Sequence, residues 1–545
     1  MKRKFRYVEL FAGCGGMSLG LEAAGFNLAF ASEISPMAAE TYAYNLLPNK
    51  LEDAFWIKSN YDRVAMKKRL SENPNSIKRN SHEDFKSPLD LPNKRPFLLV
   101  GDISTFIKEI QGSKEKEFRK HIGPVDLLSG GPPCQSFSFA GKREVNNKRN
   151  NLFLQFARMA SILQPKIVLF ENVSGILRPF TNGKGTLKHA WFEITKEFIG
   201  KNYVPACFHI DTKDFGFPQQ RRRFFMIALN KDLLEGISAN NSTYFKKLNK
   251  LFGGPRQLYQ DFHGRNGNKN RIPYNKKRAG RLLFDSTNGS WQEECQLLFG
   301  TTQSRNYNTV KDAIDSIKNL EEKYHTGVGK YGQYLKHQFA SVQPRNSQGK
   351  LQNHENRTHT DLVKVRFMLL QAVTELDDET RQLYFKTIKR SNLRETGIPN
   401  PLIKALMDHT LGFLDSNNSM YKWGPCREIA GESEVRSLIV KIKSRKYSQR
   451  ALIPGQPSPA QLSIPDDLCH YDKKNPRTLT AREMARIQTF PDWFVFKNKT
   501  TTGGNMRSYE VPCYTQVGNA VPPLLAKVIG SNLRNLLERF ESTST

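Results

Sequence analysis

Short apolar runs alternate with stretches of helical spacing along residues 1–235, and this alternation restricts the fold more than any other feature of the chain. The runs that predict strands are Tyr7–Phe11, Leu28–Ser32, Phe97–Val100, Val125–Ser129, Lys166–Phe170 and Phe224–Leu229. The stretches that predict helices are Met17–Ala24, which Gly25 closes, Leu152–Leu163 and Leu187–Phe198. Strands that alternate with helices form mostly parallel sheets whose faces the helices cover. The sequence therefore predicts an α/β fold with a mostly parallel, Rossmann-like sheet.

Composition predicts three divisions of the chain. Residues 45–95 are rich in Lys, Asn, Ser and Pro with weak periodicity, which is typical of an insertion on the rim of a fold. Between 236 and 465 the alternation disappears and Gly, Asn, Lys and Arg dominate, which predicts a second, irregular domain. The alternation returns over 466–545, where Pro522–Phe540 has apolar residues on one helical face, so this segment is expected to complete the first domain.

The charge of the chain favours a polyanionic partner. Its 545 residues include 83 Lys and Arg against 52 Asp and Glu, which gives a formal charge of +31. Such an excess attracts nucleic acid above all, although a generally basic protein from a lysine-rich proteome has the same composition.

Cysteine usage and hydropathy predict a cytoplasmic protein. The seven cysteines are scattered without a CxxC pair, which argues against a disulfide framework and a zinc site, so no metal is predicted. No apolar run approaches the ~18 residues of a membrane helix. Glu9 interrupts the apolar start, and no signal-peptide cleavage pattern follows it. We therefore expect a reducing compartment and no membrane partner.

The glycine-rich turn after the first predicted strand is typical of nucleoside cofactor sites. Glycines such as Gly13 permit unusual backbone angles there and let a ligand touch the main chain. Glu33 ends the next predicted strand, where its carboxylate can accept both ribose hydroxyls, and Asp102 ends a third, where it can accept from an adenine amino group. The turn alone also fits a plain tight turn or a dinucleotide fold, so these residues predict a nucleoside cofactor without identifying it.

The segment Gly130–Ser138 (GGPPCQSFS) places a cysteine just beyond a predicted strand. Pro132 and Pro133 fix the backbone before the thiol of Cys134, and the two glycines let another molecule approach closely. Parallel sheets bind ligands beyond the carboxyl ends of their strands. Cys134 is therefore a candidate nucleophile, and the alternative is a structural cysteine in a rigid turn.

Six segments occur in the order of the motifs of DNA (cytosine-5) methyltransferases. They are Glu9–Gly16 (ELFAGCGG), the Pro-Cys-Gln segment at Cys134, Glu171-Asn172-Val173, Gln219–Arg223 (QQRRR), Arg477–Pro491 (RTLTAREMARIQTFP) and Gln516–Pro522 (QVGNAVP). The chain thus resembles a cytosine-5 methyltransferase of the bacterial restriction–modification type. The resemblance implies a methyltransferase domain that binds S-adenosylmethionine and a target-recognition domain over 236–465.

The resemblance implies a covalent mechanism on a flipped cytosine. The Cys134 thiolate would add to carbon 6 of the ring, and Glu171 would stabilise charge at ring nitrogen 3 while carbon 5 accepts the methyl group. Arg221 or Arg223 would supply positive charge, with Arg223 expected to touch the ring, and Asn172 would position Glu171 through the backbone. From the residues alone, Glu171 could instead cap a helix and the arginines could bind phosphate.

The resemblance also implies which residues line each binding site. The expected cofactor residues are Phe11, Gly13, Gly16, Glu33, Ile34, Asp102, Ile103, Leu152, Asn519 and Val521. The expected DNA contacts are Gln135, Ser136, Arg149, His354, Arg357, His359 and Arg366. Position 34 is often a large aromatic residue in the family, so Ile34 offers less area to an adenine ring. Arg149 lies in Gly141–Asn151, a polar and basic segment that is expected to close over DNA.

Target recognition is expected from the basic region between Lys231 and Ser463, because side chains that reach base edges give specificity. Within it, residues 353–367 (NHENRTHTDLVKVRF) resemble a segment of bacterial methylases. The alternative for this segment is a solvated helix N-terminus with Thr360 as its cap.

Two other functions stay open at the level of sequence. An RNA cytosine methylase of the same fold usually has a compact recognition domain, so the long basic region favours DNA, and a comparison of methyl transfer to duplex DNA and to tRNA separates the two. A non-catalytic DNA-binding relative tends to lose the nucleophile or the cofactor loop, and this chain has both. The expected context is a monomer that methylates double-stranded DNA and protects it from a partner restriction endonuclease.

Replacing Cys134 by serine should abolish methyl transfer and leave DNA binding largely intact. The hydroxyl group is far less acidic than a thiol, so it cannot supply the nucleophile, whereas its size is similar. Transfer of a radiolabelled methyl group and a gel-shift titration with the same duplex measure the two properties. Retained turnover would contradict covalent catalysis by this residue.

Overall fold

The computed structural model describes residues 4–57, 87–112, 114–133, 152–181, 187–264, 272–301, 307–319, 327–342, 350–444, 446, 449–461, 463, 465–504, 506 and 510–544. Four predicted site residues lie outside the described residues, namely Cys134, Gln135, Ser136 and Arg149. Positions 58–86 of the predicted insertion lie outside them as well. Over the described ranges, no helix is both long and apolar enough to cross a membrane.

The described strands and helices follow the predicted alternation in the first 235 residues. The strands are β1 (Arg6–Leu10), β2 (Asn27–Glu33), β3 (Ala54–Trp56), β4 (Phe97–Val100), β5 (Leu127–Gly130), β6 (Ile167–Val173), β7 (Pro179–Thr181), β8 (Leu187–His189), β9 (Tyr203–Asp211), β10 (Gln219–Gln220), β11 (Arg222–Asn230), β12 (Leu283–Asp285), β13 (Thr410–Leu414), β14 (Met420–Pro425), β15 (Arg450–Ala451), β16 (Ser458–Pro459) and β17 (Leu468–Cys469). The α-helices are α1 (Gly16–Ala23), α2 (Pro36–Leu46), α3 (Ile103–Ile110), α4 (Lys114–Ile122), α5 (Leu152–Leu163), α6 (Ala190–Ile199), α7 (Lys231–Ala239), α8 (Thr243–Leu251), α9 (Gly253–His263), α10 (Lys276–Ala279), α11 (Gln296–Phe299), α12 (Val310–Ile314), α13 (Gly329–Gln338), α14 (Asp361–Glu375), α15 (Asp378–Ile388), α16 (Asn400–Leu406), α17 (Cys426–Ile429), α18 (Glu432–Ile442), α19 (Ala481–Ile487), α20 (Cys513–Asn519) and α21 (Pro523–Ser544).

Among the described strands, nine form one sheet in the order β12-β9-β11-β6-β5-β1-β2-β4-β3. β11 runs antiparallel to both of its neighbours, β6 and β9, and each of the other adjacent pairs is parallel. Because β1, β2, β5 and β6 are parallel, their carboxyl ends lie at the same edge of the sheet, where such sheets bind ligands. The mostly parallel sheet confirms the predicted α/β fold.

The sequence pattern misses three strands of this sheet and the start of one helix. β3 and β12 have three residues each, too few to show an alternation, and they lie within the predicted insertion and the predicted second domain. β9 is buried at every residue, so it has no polar period. Leu187–His189 pairs with Pro179–Thr181 as a hairpin, so α6 begins at Ala190 instead of the predicted Leu187.

Two hydrophobic clusters cover the two faces of the sheet. Tyr7 belongs to one cluster, whereas Val8 and Leu10 belong to the other, as expected when successive side chains of a strand point to opposite faces. Helices α8, α11, α12 and α13 contribute to the first cluster and α9 to the second, so residues 236–351 pack onto the sheet. A third cluster, formed by α14, α16, α18 and β13, begins only at Val365 and extends to Cys469.

The closing helix α21 packs along α1 at very short range. A Cβ atom at Gly20 would lie 2.4 Å from the carbonyl oxygen of Pro523, and one at Gly530 would lie 2.9 Å from the Cβ of Ala24. Only glycine permits two helices to approach so closely at these positions. The contact brings the segment before α21 to the glycine-rich turn that precedes α1.

A buried ion pair stabilises the segment that follows the third cluster. Arg477 donates two hydrogen bonds of 2.7 Å to the two carboxylate oxygens of Glu483, and the backbone N–H of Thr480 donates a third of 2.8 Å. Burial alone would raise the pKa of Glu483, but the hydrogen bonds from Arg477 and the neighbouring charges outweigh it and lower the pKa to about 2. The folded state therefore stabilises the ionised carboxylate.

Replacing Glu483 by glutamine should lower the free energy of unfolding by about 3 kcal/mol at pH 7, because the charge of Arg477 stays buried without its partner. The depressed pKa means that the carboxylate contributes fully above its ordinary value near 4.5 and loses this contribution as the pH falls toward 2. Urea unfolding of parent and variant should thus differ at pH 7 and converge toward pH 2.

Glu538 provides the matched control, since it forms a partly exposed pair with Arg534 on α21. Its replacement by glutamine should change the free energy of unfolding by less than about 0.5 kcal/mol. An equal loss in both variants, or a difference for Glu483 that persists at pH 2, would contradict the assignment.

Candidate active site

A cavity of about 360 Å³ lies at the edge of the sheet where β1, β2, β5 and β6 end. Its volume is within the range of small-molecule sites in proteins. Ten residues predicted from the sequence lie on its wall: Phe11, Gly13, Gly16, Glu33, Ile34, Glu171, Asn172, Arg223, Asn519 and Val521. Gly131, Pro132 and Pro133, the turn that precedes Cys134 in the sequence, lie on the wall as well.

The glycine-rich turn is fixed by Glu33 and by backbone angles that favour glycine. Phe11 leaves β1 with a φ of 58°, and Gly13 and Gly15 have φ values of 56° and 95°. One carboxylate oxygen of Glu33 accepts a hydrogen bond of 2.8 Å from the N–H of Gly13, and the other accepts one of 2.7 Å from Ser35. Glu33 thus fixes the turn at the end of β2, and its side chain lies on the cavity wall.

The closing segment completes this wall. A Cβ atom at Gly16 would lie 2.5 Å from the carbonyl oxygen of Val521. Residue 16 must therefore be glycine for the Asn519–Val521 segment to reach the cavity.

Glu171 and Arg223 form an ion pair on the cavity wall. β6 and β11 are antiparallel with Arg223 opposite Val173, which brings the guanidinium Nε to 3.0 Å from a carboxylate oxygen of Glu171. Burial raises the pKa of Glu171 above its ordinary value, although the charges of Arg223 and Arg221 partly offset the shift. A carboxyl group in this setting can exist protonated near neutral pH and donate a hydrogen bond.

Asn172 connects the end of β6 to the turn before Cys134. Its side-chain N–H donates a hydrogen bond of 2.9 Å to the carbonyl oxygen of Pro132, and its side-chain oxygen accepts one of 3.0 Å from the N–H of Val173. The predicted positioning role concerned Glu171 alone. The structure shows that this side chain also fixes the turn at the carboxyl end of β5.

The order of these elements is that of a known family. The sequence profile of the C-5 cytosine-specific DNA methylases matches residues 5–65 and 101–535. The chain belongs to this family. It is therefore an enzyme that methylates cytosine in DNA at carbon 5, as the sequence predicts.

Individual relatives span nearly the whole length of this C-5 cytosine-specific DNA methylase. The type II methyltransferase M.DdeI of Desulfomicrobium norvegicum is 24% identical over 96% of this chain and 88% of its own. M.ApeKI of Aeropyrum pernix, named a DNA (cytosine-5-)-methyltransferase, is 24% identical over 98% and 99% of the two chains. Among solved structures, one described as a prophage-encoded DNA modification methyltransferase from E. coli covers 98% of this chain and 100% of its own with a TM-score of 0.50 and 19% identity. That likeness concerns the fold.

Arg221 has a structural position in this methylase, and its charge also lowers the pKa of Glu171, so its predicted catalytic part stays a prediction. The side chain is buried, and its guanidinium donates hydrogen bonds of 2.9 Å to the carbonyl of Gln461 and of 2.6 and 3.2 Å to the carbonyls of Gly518 and Ala520. Its two terminal nitrogens thus bind backbone carbonyls of Gln461 and of the closing segment. Arg221 holds that segment against β11.

Three predicted cofactor residues lie off the described cavity wall. The carboxylate of Asp102 accepts a hydrogen bond of 2.9 Å from the N–H of Ser104 and so caps α3. Ile103 is buried in the second hydrophobic cluster, and Leu152 is the first residue of α5. Their assignment to the cofactor stays a prediction, since the capping bond uses only one carboxylate oxygen of Asp102.

The predicted DNA contact His354 is a buried structural residue. One ring nitrogen lies 2.9 Å from the hydroxyl of Thr480 and the other lies 2.7 Å from the carbonyl oxygen of Ile317. Both nitrogens are therefore engaged, and none is left for a base edge. His354 thus connects the segment before α14 to Ile317, a member of the first hydrophobic cluster, and to Thr480, which lies between two of its members.

The other residues of this segment are half-buried at the start of α14. His359 lies 3.2 Å from the hydroxyl of Thr478, and Arg366 donates a hydrogen bond of 2.6 Å to the carbonyl oxygen of Ile442. Thr360 is the N-cap residue of α14, although its side chain makes no capping hydrogen bond. Arg357 is half-buried and precedes α14 in the sequence.

Glu9 is a cavity residue that the sequence analysis did not assign to the site. Its carboxylate accepts a hydrogen bond from the hydroxyl of Ser18, which lies 2.8 Å from the hydroxyl of Tyr42. Burial raises the pKa of Glu9 to about 8, against the opposing hydrogen bond from Ser18. The available signal was a carboxylate in the middle of an apolar strand, since buried acids are rare without a specific partner.

Replacing Gly131 by alanine should reduce methyl transfer at least about tenfold with little effect on folding. A Cβ atom there would lie 2.7 Å from a carboxylate oxygen of Glu171, which must shift from its place beside Arg223, and small displacements of catalytic groups are costly. Steady-state methylation and thermal unfolding measure the two effects. Gly253→Ala is the control, because a Cβ there meets no atom within 4 Å; parent-like activity of Gly131→Ala would contradict the geometry.

Proposed function

We propose that this DNA methylase uses S-adenosylmethionine as methyl donor and Cys134 as nucleophile on a cytosine flipped out of a specific duplex sequence. The observation that carries the proposal is the ion pair of Glu171 and Arg223 on the cavity wall, beside the turn that directly precedes Cys134 in the sequence. A cytosine methylase requires such a carboxyl group next to its nucleophile, because carbon 5 must be activated before it accepts a methyl group.

The cavity wall suits S-adenosylmethionine. Phe11, Ile34 and Val521 offer apolar surface, and Glu33 offers a carboxylate for hydroxyl groups. Gln516 lines the cavity with a buried amide oxygen that has no hydrogen-bond partner among the described residues, which fits a ligand rich in N–H and O–H donors. When bound, this cofactor supplies an electrophilic methyl group.

The residues of the chain activate the base. The thiolate of Cys134 bonds to carbon 6, and the negative charge that moves into the ring is neutralised where Glu171 holds a proton against nitrogen 3. Arg223 keeps the carboxyl group in place and balances its charge after the proton is given up. Once carbon 5 carries the methyl group, a base removes the carbon-5 proton, the double bond returns, and the thiolate leaves.

The other cysteines are poorly suited to this step. Each of the six cysteines in the described part of the chain is buried. Burial raises the pKa of the Cys207 and Cys513 thiols to about 12, so they stay protonated at neutral pH, and a thiol in that state is a weak nucleophile. This pattern supports Cys134, which follows the only Pro-Pro turn on the described cavity wall.

DNA contacts are proposed for two segments of the chain. Gln135, Ser136 and Arg149 follow the nucleophile in the sequence, and Arg357, His359 and Arg366 lie at the start of the third cluster. We place the target-recognition domain from about residue 360 to 465, since residues 236–351 pack onto the sheet, and we assign 466–545 to the catalytic domain. The names of the relatives, type II methyltransferases, support pairing with a restriction endonuclease, and we propose a monomer.

A duplex that carries 5-fluorocytosine at the target position should trap the protein covalently. Fluorine cannot leave as a proton does, so elimination of the thiolate is blocked and the adduct persists. Bisulfite sequencing of DNA from cells that express the protein identifies the target sequence. Denaturing electrophoresis and mass spectrometry with S-adenosylmethionine present then measure the adduct and its attachment site.

Cys134→Ser is the matched control and should form no adduct while it still binds the duplex. Absence of an adduct from a parent protein that methylates ordinary DNA would refute covalent catalysis. Absence of methylation in the bisulfite data would refute the proposed function itself.

A further inference from the structure

Asp285, His209 and Ser174 form a continuous chain of hydrogen bonds beside the active site. A carboxylate oxygen of Asp285 lies 3.0 Å from Nδ1 of His209, and Nε2 of His209 lies 2.9 Å from the hydroxyl oxygen of Ser174. His209 and Asp285 are buried. The three side chains come from β9, β12 and the turn after β6. None of the three residues lies within the six motif segments.

The direction of the hydrogen bonds follows from Asp285. Its other carboxylate oxygen accepts from the N–H and the hydroxyl of Thr287 at 2.8 and 2.7 Å. Burial opposes ionisation, but the hydrogen bonds from His209 and Thr287 prevail and lower the pKa of Asp285. An ionised carboxylate only accepts, so Nδ1 of His209 carries a proton. In the neutral ring Nε2 is then the acceptor, and the hydroxyl of Ser174 donates to it.

The same three residue types activate serine nucleophiles in hydrolases, but their location here favours another role. Val173 lies on the described cavity wall, whereas Ser174 does not. The hydroxyl is therefore bonded inward to His209 instead of facing the cavity. Its proton serves to hold the main chain at the end of β6.

The segment that Ser174 holds is the one that carries Glu171. Val173 is opposite Arg223 in the sheet, and Asn172, Phe224, His209 and Asp285 follow one another across β6, β11, β9 and β12. Arg223 fixes the carboxyl group of Glu171 from one side, and His209 fixes the chain three residues later. Without the second anchor, the end of β6 is free to shift relative to β11.

We propose that Asp285, His209 and Ser174 act as a positioning relay that keeps the carboxyl group of Glu171 in register with the flipped base during methyl transfer. The inference rests on the proposed function, since it needs Glu171 as the proton donor to the ring. It also gives the segment around β12, which lies far from the catalytic motifs in the sequence, a part in catalysis. These are positioning residues that act through Glu171.

The test compares Asp285→Asn, Ser174→Ala and Ser174→Thr with the parent enzyme. The amide of asparagine can donate to Nδ1 and so favours the opposite tautomer of His209, which no longer accepts from Ser174. We expect the single-turnover rate of methyl transfer at saturating DNA to fall about tenfold for Asp285→Asn and Ser174→Ala. Ser174→Thr keeps the hydroxyl and should recover most of the rate.

Three measurements separate positioning from loss of structure. The Kd for the target duplex and the thermal unfolding temperature should stay at the parent values in all three variants. Glu293→Gln is the control and should behave as the parent. Its exposed carboxylate lies near β12 in the sequence and pairs with Lys247, away from Asp285, His209 and Ser174 in the described contacts.

Parent rates in Asp285→Asn and Ser174→Ala would overturn the relay, as would a rate loss matched by weaker DNA binding or a lower unfolding temperature. Equal slowing in Ser174→Thr and Ser174→Ala would show that packing matters and the hydrogen bond does not. The parent enzyme reports separately on the proposed function: if it neither methylates DNA nor forms the 5-fluorocytosine adduct, the function fails, whereas an active parent with unaffected variants refutes the relay alone.

Discussion

The contact between Glu171 and Arg223 depends on how two strands pair, and the rest of the site depends on that contact. A carboxyl group and a guanidinium from distant parts of the chain meet at 3.0 Å because β6 and β11 are antiparallel in one register. Burial raises the pKa of the acid, while the nearby charge keeps it from being isolated. The cavity wall then needs a residue without a side chain at position 131, and Asn172 connects the same strand end to the turn before Cys134. One register thus sets the acid, its partner and the approach to the nucleophile.

Buried hydrogen bonds between side chains and backbone carbonyls assemble the domain around this edge. Arg221 binds three carbonyl groups of the closing parts of the chain, and His354 joins Ile317 to Thr480 across two distant parts of the sequence. A buried polar group without a partner is costly, so each of these residues restricts how the segments can be arranged. Arg221 and His354, which the sequence predicts for the reaction and for DNA, therefore hold distant parts of the protein together.

Several features of the site could be predicted from the sequence because they are local. A glycine-rich turn after an apolar strand needs few other parts of the chain to define it, and the turn at Gly13 lies on the cavity wall as expected. The place of Asp102 at a strand end predicts a ligand contact, and the same place makes it the N-cap of α3. Arg221 and Arg223 are only two residues apart, but Arg221 lies between β10 and β11, and only Arg223, on β11, forms an ion pair with Glu171. In each case the residue type indicated a polar role, but the sequence did not show which partner forms the hydrogen bonds.

By itself the sequence determined the α/β class, the order of the motifs, the family and the choice of Glu171 as a site residue. These depend on residue type and on periodicity along the chain. The tertiary structure decided that β9 and β12 extend the sheet, that residues 236–351 pack onto it, and that Asp285 reaches His209 and Ser174. The physical reason is the range of the interactions. Hydrophobic period and turn chemistry act over a few residues, whereas a buried hydrogen bond forms between whichever groups the completed sheet brings within about 3 Å.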